Sequence, residues 1–325
     1  MTNMSLNTTQ ISHFVSYYPH AVALSLVLLF GVSGNIMVIY SILKEGNLFK
    51  RNYYYLVLHL SICDLITLLL QIRSNSFIDM QYPNVICKLL FLVGTLFFIV
   101  GVYIMVLIAI FRYRAILYPL APTVSRRKLR AIVAAVYLCA MICLVWTIFA
   151  FKIYLYERCL ELAITLFGPY TISFVAIQWF IPVAILSILY YKICQQLMGQ
   201  KAKMDSLNAT CTASSEDFIG IKFHLQKMKH SRNNRTVITS VTIVVCFAIA
   251  SFPFQLHWLL LASGVNVNYI HFYDWSDVVC LLGVSAVNPY IYGVSDKTLR
   301  LVYNRNWNKI KAFFTSCSTS QALAQ

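Results

Sequence analysis

The chain has 325 residues, of which 59% are apolar and only 11% are Asp, Glu, Lys or Arg. Average soluble proteins carry roughly 25% charged residues, more than twice the share in this chain. Disordered, collagen-like and coiled-coil chains need still more polar sequence, so the composition excludes these three classes. The formal charge of +15 does not indicate nucleic-acid binding, because the basic residues lie between apolar blocks and not along one face. The composition instead predicts an integral membrane protein.

Seven apolar blocks follow one another along the chain, and most reach the ~20 residues that a helix needs to cross a hydrocarbon core. They cover residues 21–43, 53–72, 89–111, 131–151, 162–191, 236–262 and 278–294. None of the blocks alternates as a strand does, and in lipid only helices or closed barrels satisfy the backbone. The sequence therefore predicts an all-α membrane protein with a bundle of seven transmembrane helices.

The basic residues indicate how this bundle is oriented. Alternate connecting segments and the tail hold 22 of the 26 basic residues, so the positive-inside rule places the N-terminus outside and the C-terminus in the cytoplasm. The first 19 residues have no basic start, so we expect no cleaved signal peptide. The extracellular tail then covers residues 1–20 and the bundle residues 21–294, with a third cytoplasmic loop at about 195–234. Residues 295–325 form the amphipathic helix and the cytoplasmic tail.

Both tails carry candidate modification sites. Asn3 and Asn7 each begin an Asn-X-Ser/Thr sequence on the predicted extracellular side, so we expect glycosylation there. Residues 297–314 are amphipathic, with Leu299, Trp307, Ile310 and Phe314 expected to face lipid, which predicts a C-terminal helix at the membrane interface. Cys317 follows this helix, where palmitoylation and a plain cytosolic thiol are equally consistent with the sequence.

Polar residues and prolines recur inside the predicted helices, where each is costly in lipid and therefore indicates a functional position. With Trp146 of the fourth span added, the set in chain order is Gly34-Asn35, Asp64, Arg112-Tyr113, Trp146, Pro182, Pro253 and Asn288-Pro289 with Tyr292. One intramembrane carboxyl group would fit any transporter, but an ordered set in successive helices is more specific. On this set the chain resembles a rhodopsin-like G-protein-coupled receptor, of the peptide-receptor type, over essentially its full length.

The resemblance implies a ligand-operated switch in the plasma membrane. An extracellular ligand favours one of two packings of the bundle, and the sixth helix swings outward at Pro253 to admit a heterotrimeric G protein. The implied switch residues are Arg112, Tyr113, Tyr190, Phe247, Pro253, Asn288, Pro289 and Tyr292. Receptor kinase, arrestin and membrane lipids are further partners that the resemblance implies.

The same resemblance implies a polar cluster in the middle of the bundle and a disulfide at its outer end. Asn35, Asp64, Ser285 and Asn288 would surround a sodium ion or waters. Gly101 stands where the family often has Ser, so we expect weak sodium binding, and no other cofactor is expected. Cys87 and Cys159 both fall at the extracellular side, and in the family this pair is bonded.

Two positions depart from the family pattern. Phe111 stands where Asp or Glu usually precedes the third-helix Arg, so no acid visible in the sequence holds Arg112 in the resting state. We expect raised signalling without ligand, unless Tyr190, Tyr292 or water holds Arg112 instead. Ser251 stands two residues before Pro253, where the family usually has Trp, and drift compensated by neighbouring residues explains it best.

Helical phase, counted from Arg112, Asp64, Pro253 and Asn288, predicts a ligand pocket in the outer half of the bundle. Gly94 lies at the level where amine receptors carry Asp, which disfavours an amine ligand, and the seventh span has no Lys for a retinal Schiff base. A short peptide is the preferred ligand, and a lipid or other small molecule is the alternative. The candidate residues are Gln71, Asn75, Phe91, Gly94, Phe98, Phe254, Gln255, Trp258, Asp274 and Asp277.

Simpler roles remain open for several of these residues. Phe98 and Phe254 would serve equally well in packing between helices, and Asp274 and Asp277 could be ordinary solvated acids at a helix end. A channel or transporter is the alternative of a different class, but the chain shows no repeated halves. The sequence also shows no grouping of metal ligands and no nucleophile with a nearby base, so an enzyme is not expected.

The disulfide generates a first prediction. Replacing Cys87 or Cys159 by Ser should sharply reduce surface expression or ligand binding, because the outer loop would no longer be tied to the third helix. Surface expression of each variant, measured by antibody labelling of intact cells, tests this. Cys143→Ser and Cys246→Ser are the matched controls inside the spans, and equal tolerance of all four substitutions would contradict the pairing.

Overall fold

The computed structural model describes residues 8–71, 84–150, 168–211, 217–265 and 269–306, together with residues 308 and 312. Within these residues the chain is helical almost throughout. The helices are α1 (Thr8–Lys44), α2 (Gly46–Phe49), α3 (Asn52–Gln71), α4 (Asn84–Leu117), α5 (Arg126–Ala150), α6 (Gly168–Val175), α7 (Ile181–Cys211), α8 (Asp217–Ala262), α9 (Tyr269–Leu281), α10 (Asn288–Ser295) and α11 (Lys297–Asn306).

Each of the seven apolar blocks falls largely within one helix or within two helices joined by a π-helical turn. Among the described residues, five segments are long and apolar enough to cross a membrane: Pro19–Lys44, Asn52–Leu70, Leu92–Leu117, Thr171–Lys203 and Ser240–Leu260. A sixth is Trp275–Gly293, after which the chain bends by 87° into α11. The 25 residues of α5 span about 37 Å at 1.5 Å per residue, which is enough to cross the same layer.

The helices continue beyond the apolar blocks on the cytoplasmic side. α7 extends to Cys211 and α8 begins at Asp217, so much of the segment assigned to a third cytoplasmic loop is helical. Hydropathy marks where a helix leaves the lipid and not where it ends, and residues such as Lys, Gln, Met and Ala favour helix in water as well.

The core of the bundle lies between α3, α4, α7 and α8. Its fully buried side chains include Leu60, Ile99, Leu186 and Phe247. The opposite faces of the helices carry exposed apolar side chains such as Leu29, which is 65% exposed. Apolar residues on both faces are expected when lipid and not water surrounds the bundle. The few buried polar groups therefore have to find their partners between the helices.

A π-helical turn interrupts the fifth span between α6 and α7, at Ala176–Phe180, and another interrupts the seventh span between α9 and α10, at Leu282–Ala286. In each turn a backbone carbonyl accepts a hydrogen bond from a side chain of another helix. The Tyr103 hydroxyl donates to the Ile177 carbonyl at 3.0 Å, and the Asn35 amide donates to the Ser285 carbonyl at 3.0 Å. These bonds connect α4 to the fifth span and α1 to the seventh, at points where the regular helical pattern is broken.

The last helix, α11, lies against the cytoplasmic end of the bundle. Asp296 caps it, because its carboxylate accepts hydrogen bonds from the backbone N–H groups of Thr298 and Leu299 at 2.9 and 3.2 Å. The Tyr54 hydroxyl donates to the same carboxylate at 3.0 Å, which attaches α3 to this cap. An ion pair between Arg305 and Glu45 attaches the far end of α11.

One expectation for this helix was wrong. Leu299 was expected to face lipid, but its side chain is fully buried and packs in the main core with Val302. Helical periodicity identifies the apolar face of an amphipathic helix, but it cannot tell whether that face meets lipid or protein. The exposed Arg300 and Leu301 lie on the outer side of α11. Trp307, Ile310 and Phe314 lie outside the residues that the structure describes.

Close helix contacts in the seventh span generate a second prediction. A Cβ atom at Gly283 would lie 2.1 Å from the Ala250 Cβ and 3.0 Å from the Cys246 carbonyl, neither of which can move without shifting α8. Gly283→Ala should therefore lower the thermal unfolding midpoint of the detergent-solubilised protein by about 2–6 °C. Gly199→Ala is the control, because a Cβ there meets no atom within 4 Å. An unchanged midpoint for Gly283→Ala would contradict the close packing of α8 on the seventh span.

Candidate functional site

The predicted polar cluster is present in the middle of the bundle. The Asn288 amide donates to the Asp64 carboxylate at 3.0 Å and to the Val284 carbonyl at 2.6 Å. Asp64, Ser285 and Asn288 are each at most 3% exposed. The Asn35 amide donates to the carbonyl groups of Gly31 and Ser285. The cluster thus joins the first, second and seventh spans around one buried carboxylate.

Several oxygen atoms of this cluster have no hydrogen-bond partner among the described residues. They are the Asn35 Oδ1, the Asn288 Oδ1 and the Ser61 hydroxyl, which lies one helical turn before Asp64. Gly101 faces the same region, since a Cβ there would lie 3.9 Å from the Asp64 Oδ1. A buried carboxylate beside unpartnered oxygen atoms can hold a hard cation or ordered water.

At the cytoplasmic end of α4, Arg112 lies against an aromatic ring. Its guanidinium carbon is 3.9 Å from the centre of the Tyr53 ring, within the range of a cation–π contact. The Arg112 Nε is buried and has no hydrogen-bond partner among the described residues. The preceding Phe111 packs against the main core. The sequence predicted that no acid holds Arg112 and left Tyr190, Tyr292 or water as alternative partners. The structure brings an aromatic ring of the second span to this guanidinium, a partner that the sequence did not indicate.

Two of the other predicted switch residues, Tyr190 and Tyr292, lie at a small cavity next to this contact. Tyr53, Tyr190, Ser240 and Tyr292 line it with their hydroxyl-bearing side chains. Tyr190 and Tyr292 are 7% and 2% exposed, so both predicted tyrosines lie inside the bundle. Tyr113 instead contacts the ring of Tyr118, with centroids 6.1 Å apart, on the side of the cytoplasmic loop.

In the sixth span, Pro253 lies inside the continuous helix α8. Phe247 is fully buried, and the Ser251 hydroxyl donates to the Phe247 carbonyl one turn earlier. This bond satisfies the small polar side chain that stands at the usual position of Trp. A proline cannot donate to the carbonyl four residues before it, so the helix has its weakest backbone point beside Ser251.

The outer half of α8 carries a buried polar side chain. Gln255 is 1% exposed, and neither its amide nitrogen nor its amide oxygen has a hydrogen-bond partner among the described residues. Trp258 is 6% exposed and contacts the rings of Phe254 and His257 at about 6 Å. Buried polar groups usually find partners, so an unpartnered amide in this region indicates a position where a ligand or water binds.

The remaining predicted pocket residues have different environments. Asp277 is 9% exposed, so it is not a solvated acid at a helix end. Phe98 and Phe254 are half-buried and pack against the main core, in agreement with a packing role. Gly94 is half-buried on α4. Several predicted residues lie outside the described residues or have undescribed side chains, namely Asn3, Asn7, Gln71, Asn75, Cys87, Phe91, Cys159, Asp274 and Cys317.

Sequence reasoning overlooked several buried polar residues that the structure reveals. Gln178 and Trp179 lie in the π-helical turn of the fifth span, and the Trp179 Nε1 is buried without a partner among the described residues. The rule that polar residues in spans are functional candidates would have identified Gln178. Asp296 was overlooked as a cap, although an acid immediately before a helix is a cap signal. Tyr53 gave no such signal, because aromatic residues are common at the ends of spans.

Comparison with known proteins assigns this arrangement to a family. Residues 34–292 match the sequence model described as "7 transmembrane receptor (rhodopsin family)". The chain belongs to this family. The match runs from the residue before Asn35 to Tyr292, so it includes the polar cluster, the Arg112 contact and the outer half of α8. The predicted seven-helix membrane fold is thereby confirmed, and the family is one of receptors and not of enzymes.

Individual relatives are more distant. Nematocin receptor 2 of Caenorhabditis elegans is 26% identical over 332 residues, which cover 90% of this chain and 81% of that receptor. The alpha-1A adrenergic receptor of Oryzias latipes is also 26% identical, over 339 residues that cover 93% of this chain and 71% of the relative. Membership of the family implies an extracellular ligand and a G protein as partners.

A solved structure supports the same fold. The crystal structure of squid rhodopsin superimposes with a TM-score of 0.69, covering 90% of this chain and 86% of that one. The sequence identity between the two is 18%, so the likeness concerns the fold alone. The receptor is therefore a multi-pass membrane protein with the helix arrangement of this family.

Proposed function

We propose that this receptor lies in the plasma membrane and binds a short extracellular peptide in the outer half of its bundle. Binding favours the packing in which the cytoplasmic ends of the helices admit a heterotrimeric G protein. The observation that carries the ligand proposal is the buried Gln255 amide, whose donor and acceptor atoms both lack partners among the described residues. A peptide backbone offers both a carbonyl acceptor and an N–H donor, which is the complement of an amide side chain.

The charge of the region supports a ligand with a cationic group. Asp277 is buried in the outer part of the seventh span, where it is shielded from bulk water. A charge pair with such a group is worth more than the ~0–1 kcal/mol of an exposed pair, provided that the site is closed to water. An Arg side chain or the amino terminus of a peptide would supply the cation.

The relatives by themselves leave the ligand class open, since one is named for nematocin and another is adrenergic. The residue at the level where amine receptors carry an acid disfavours an amine. Gly94 stands there and offers no charge to a small amine. A lipid or other small non-amine ligand is the alternative outcome of the same experiment.

The third prediction tests the ligand proposal directly. We expect a library of short peptides to contain members that stimulate GTP loading of purified G proteins by this receptor in lipid nanodiscs. Asp277→Asn should weaken an activating cationic peptide about tenfold, and Gln255→Leu by a similar factor, because each removes a buried polar partner. Ligand affinity is measured without G protein so that coupling does not contribute.

Matched controls lie at the cytoplasmic side of the same protein. Asp296→Asn and Gln195→Leu change the same residue types far from the outer pocket, and both should leave peptide affinity unchanged. Activation by lipids alone would favour the alternative ligand class. Ligand-gated current without GTP loading would contradict the receptor function altogether.

We also propose that the polar cluster binds a sodium ion in the resting receptor. Asp64 would supply the charge, and the unpartnered oxygen atoms of Ser61, Asn35 and Asn288 are suitable donors for a hard cation. When bound, the ion would neutralise the buried carboxylate. Gly101 contributes no oxygen, so the affinity should be weak. Receptor kinase and arrestin remain proposed partners of the activated state.

The fourth prediction concerns this ion. Gly101→Ser should lower the sodium concentration that half-suppresses ligand-free GTP loading by about three- to tenfold, because its hydroxyl adds an oxygen near the Asp64 Oδ1. Asp64→Asn should abolish the sodium effect. Choline replaces sodium at constant ionic strength as the control. The same sodium dependence in wild type and both variants would exclude the ion and leave a water network in its place.

A further inference from the structure

The cytoplasmic end of α3 carries three consecutive tyrosines, and each of them contacts a different element of the bundle. Tyr53 lies under Arg112 of α4, and the Tyr54 hydroxyl donates to Asp296 between α10 and α11. The Tyr55 ring lies under Arg126 at the start of α5, with the guanidinium carbon 4.0 Å from the ring centre. Successive residues of a helix point about 100° apart, so one short segment reaches three neighbours.

No acidic side chain competes for Arg112 in the described part of the chain. The ion pair found there joins Arg305 to Glu45 at the far end of α11. The preceding Phe111 cannot accept a hydrogen bond, and Asp296 is engaged with Tyr54 and the cap of α11. The face of Tyr53 is thus an electron-rich group that the structure brings to the Arg112 guanidinium.

The Tyr53 ring packs against a neighbouring ring that is itself fixed. Its neighbour Tyr54 is 5% exposed, contacts it edge to face with centroids 5.0 Å apart, and is fixed by the bond to Asp296. The residue before Tyr53 is also fixed, because the Asn52 amide donates to the Val124 carbonyl at 2.7 Å. A ring fixed in this way can hold a guanidinium at little further cost in conformational entropy.

We propose that Tyr53 holds Arg112 in the resting conformation, in place of the missing acidic neighbour, and so sets the level of signalling without ligand. Tyr53 is a positioning residue that acts through Arg112, and the inference rests on coupling of the receptor to a G protein. Its ring also lines the cavity that Tyr190 and Tyr292 share. When α8 moves outward, Arg112 leaves the ring, and the resting contact is lost.

The strength of this contact sets the expected level of activity. A partly buried cation–π contact is weaker than a charge-assisted hydrogen bond to a carboxylate. Ligand-free signalling of the wild type should therefore lie between that of a receptor with an acidic partner and that of one with no partner. The expected rise in ligand-free signalling is therefore smaller than the rise expected from the sequence for an Arg112 with no partner.

The fifth prediction is tested by measuring ligand-free GTP loading per receptor in lipid nanodiscs, with purified Gs, Gi and Gq heterotrimers in turn. Tyr53→Leu should raise loading about three- to tenfold, because the resting contact is removed. Tyr53→Phe keeps the ring and should stay within about twofold of the wild type. Phe111→Asp alone should give lower loading than the wild type. Added to Tyr53→Leu, it should largely reverse the increase, because Asp supplies another partner for Arg112.

Tyr55→Leu is the matched control, since it removes an equivalent contact with Arg126 and leaves Arg112 untouched. It should not change ligand-free loading. Tyr53→Met serves as a second apolar variant if Tyr53→Leu does not fold. The proposal is overturned if Tyr53→Leu and Tyr53→Met load GTP at the wild-type level. It is also overturned if loading in Tyr53→Phe or in Tyr55→Leu rises as much as in Tyr53→Leu. Loading that never exceeds that of empty nanodiscs in any variant would instead show that the coupling itself fails.

Discussion

The hydrogen bond from the Asn288 amide to the Asp64 carboxylate joins the seventh span to the second in the middle of the membrane. A carboxylate at this depth is costly unless it has partners, so the two spans are held at one register. Asn35 brings the first span to the same place through the π-helical turn. The position of the seventh span then places Tyr292 in the cytoplasmic cavity and Asp296 at the start of α11.

The sixth span connects the two ends of the receptor. Its outer half carries the unpartnered Gln255, and its inner half carries Phe247 in the core and Ser240 beside the cytoplasmic cavity. Pro253 lies between them, where the backbone pattern is weakest. A ligand that binds Gln255 can therefore change the balance of packings at the cytoplasmic end, provided that its contacts differ between the two states.

The two departures from the family pattern have physical compensations in the structure. Ser251 satisfies its hydroxyl by donating to the Phe247 carbonyl, as expected for a small side chain inside a helix. Arg112 has the Tyr53 ring instead of an acid. Both compensations use short-range contacts inside the bundle, so loss of a family residue need not abolish the function that it usually serves.

The sequence by itself determined the seven spans and the orientation, and the resemblance of its intramembrane polar residues to one family implied the central polar cluster. Both were possible because lipid makes every polar group in a span conspicuous. Helical phase placed Gln255 and Asp277 on inward faces, and both side chains are buried. The tertiary structure decided that Leu299 packs on protein, that Asp296 caps α11 and that Tyr53 lies under Arg112. Periodicity gives the face of a helix but not its neighbour. Contacts between residues 59 positions apart, such as Tyr53 and Arg112, depend on how whole helices pack.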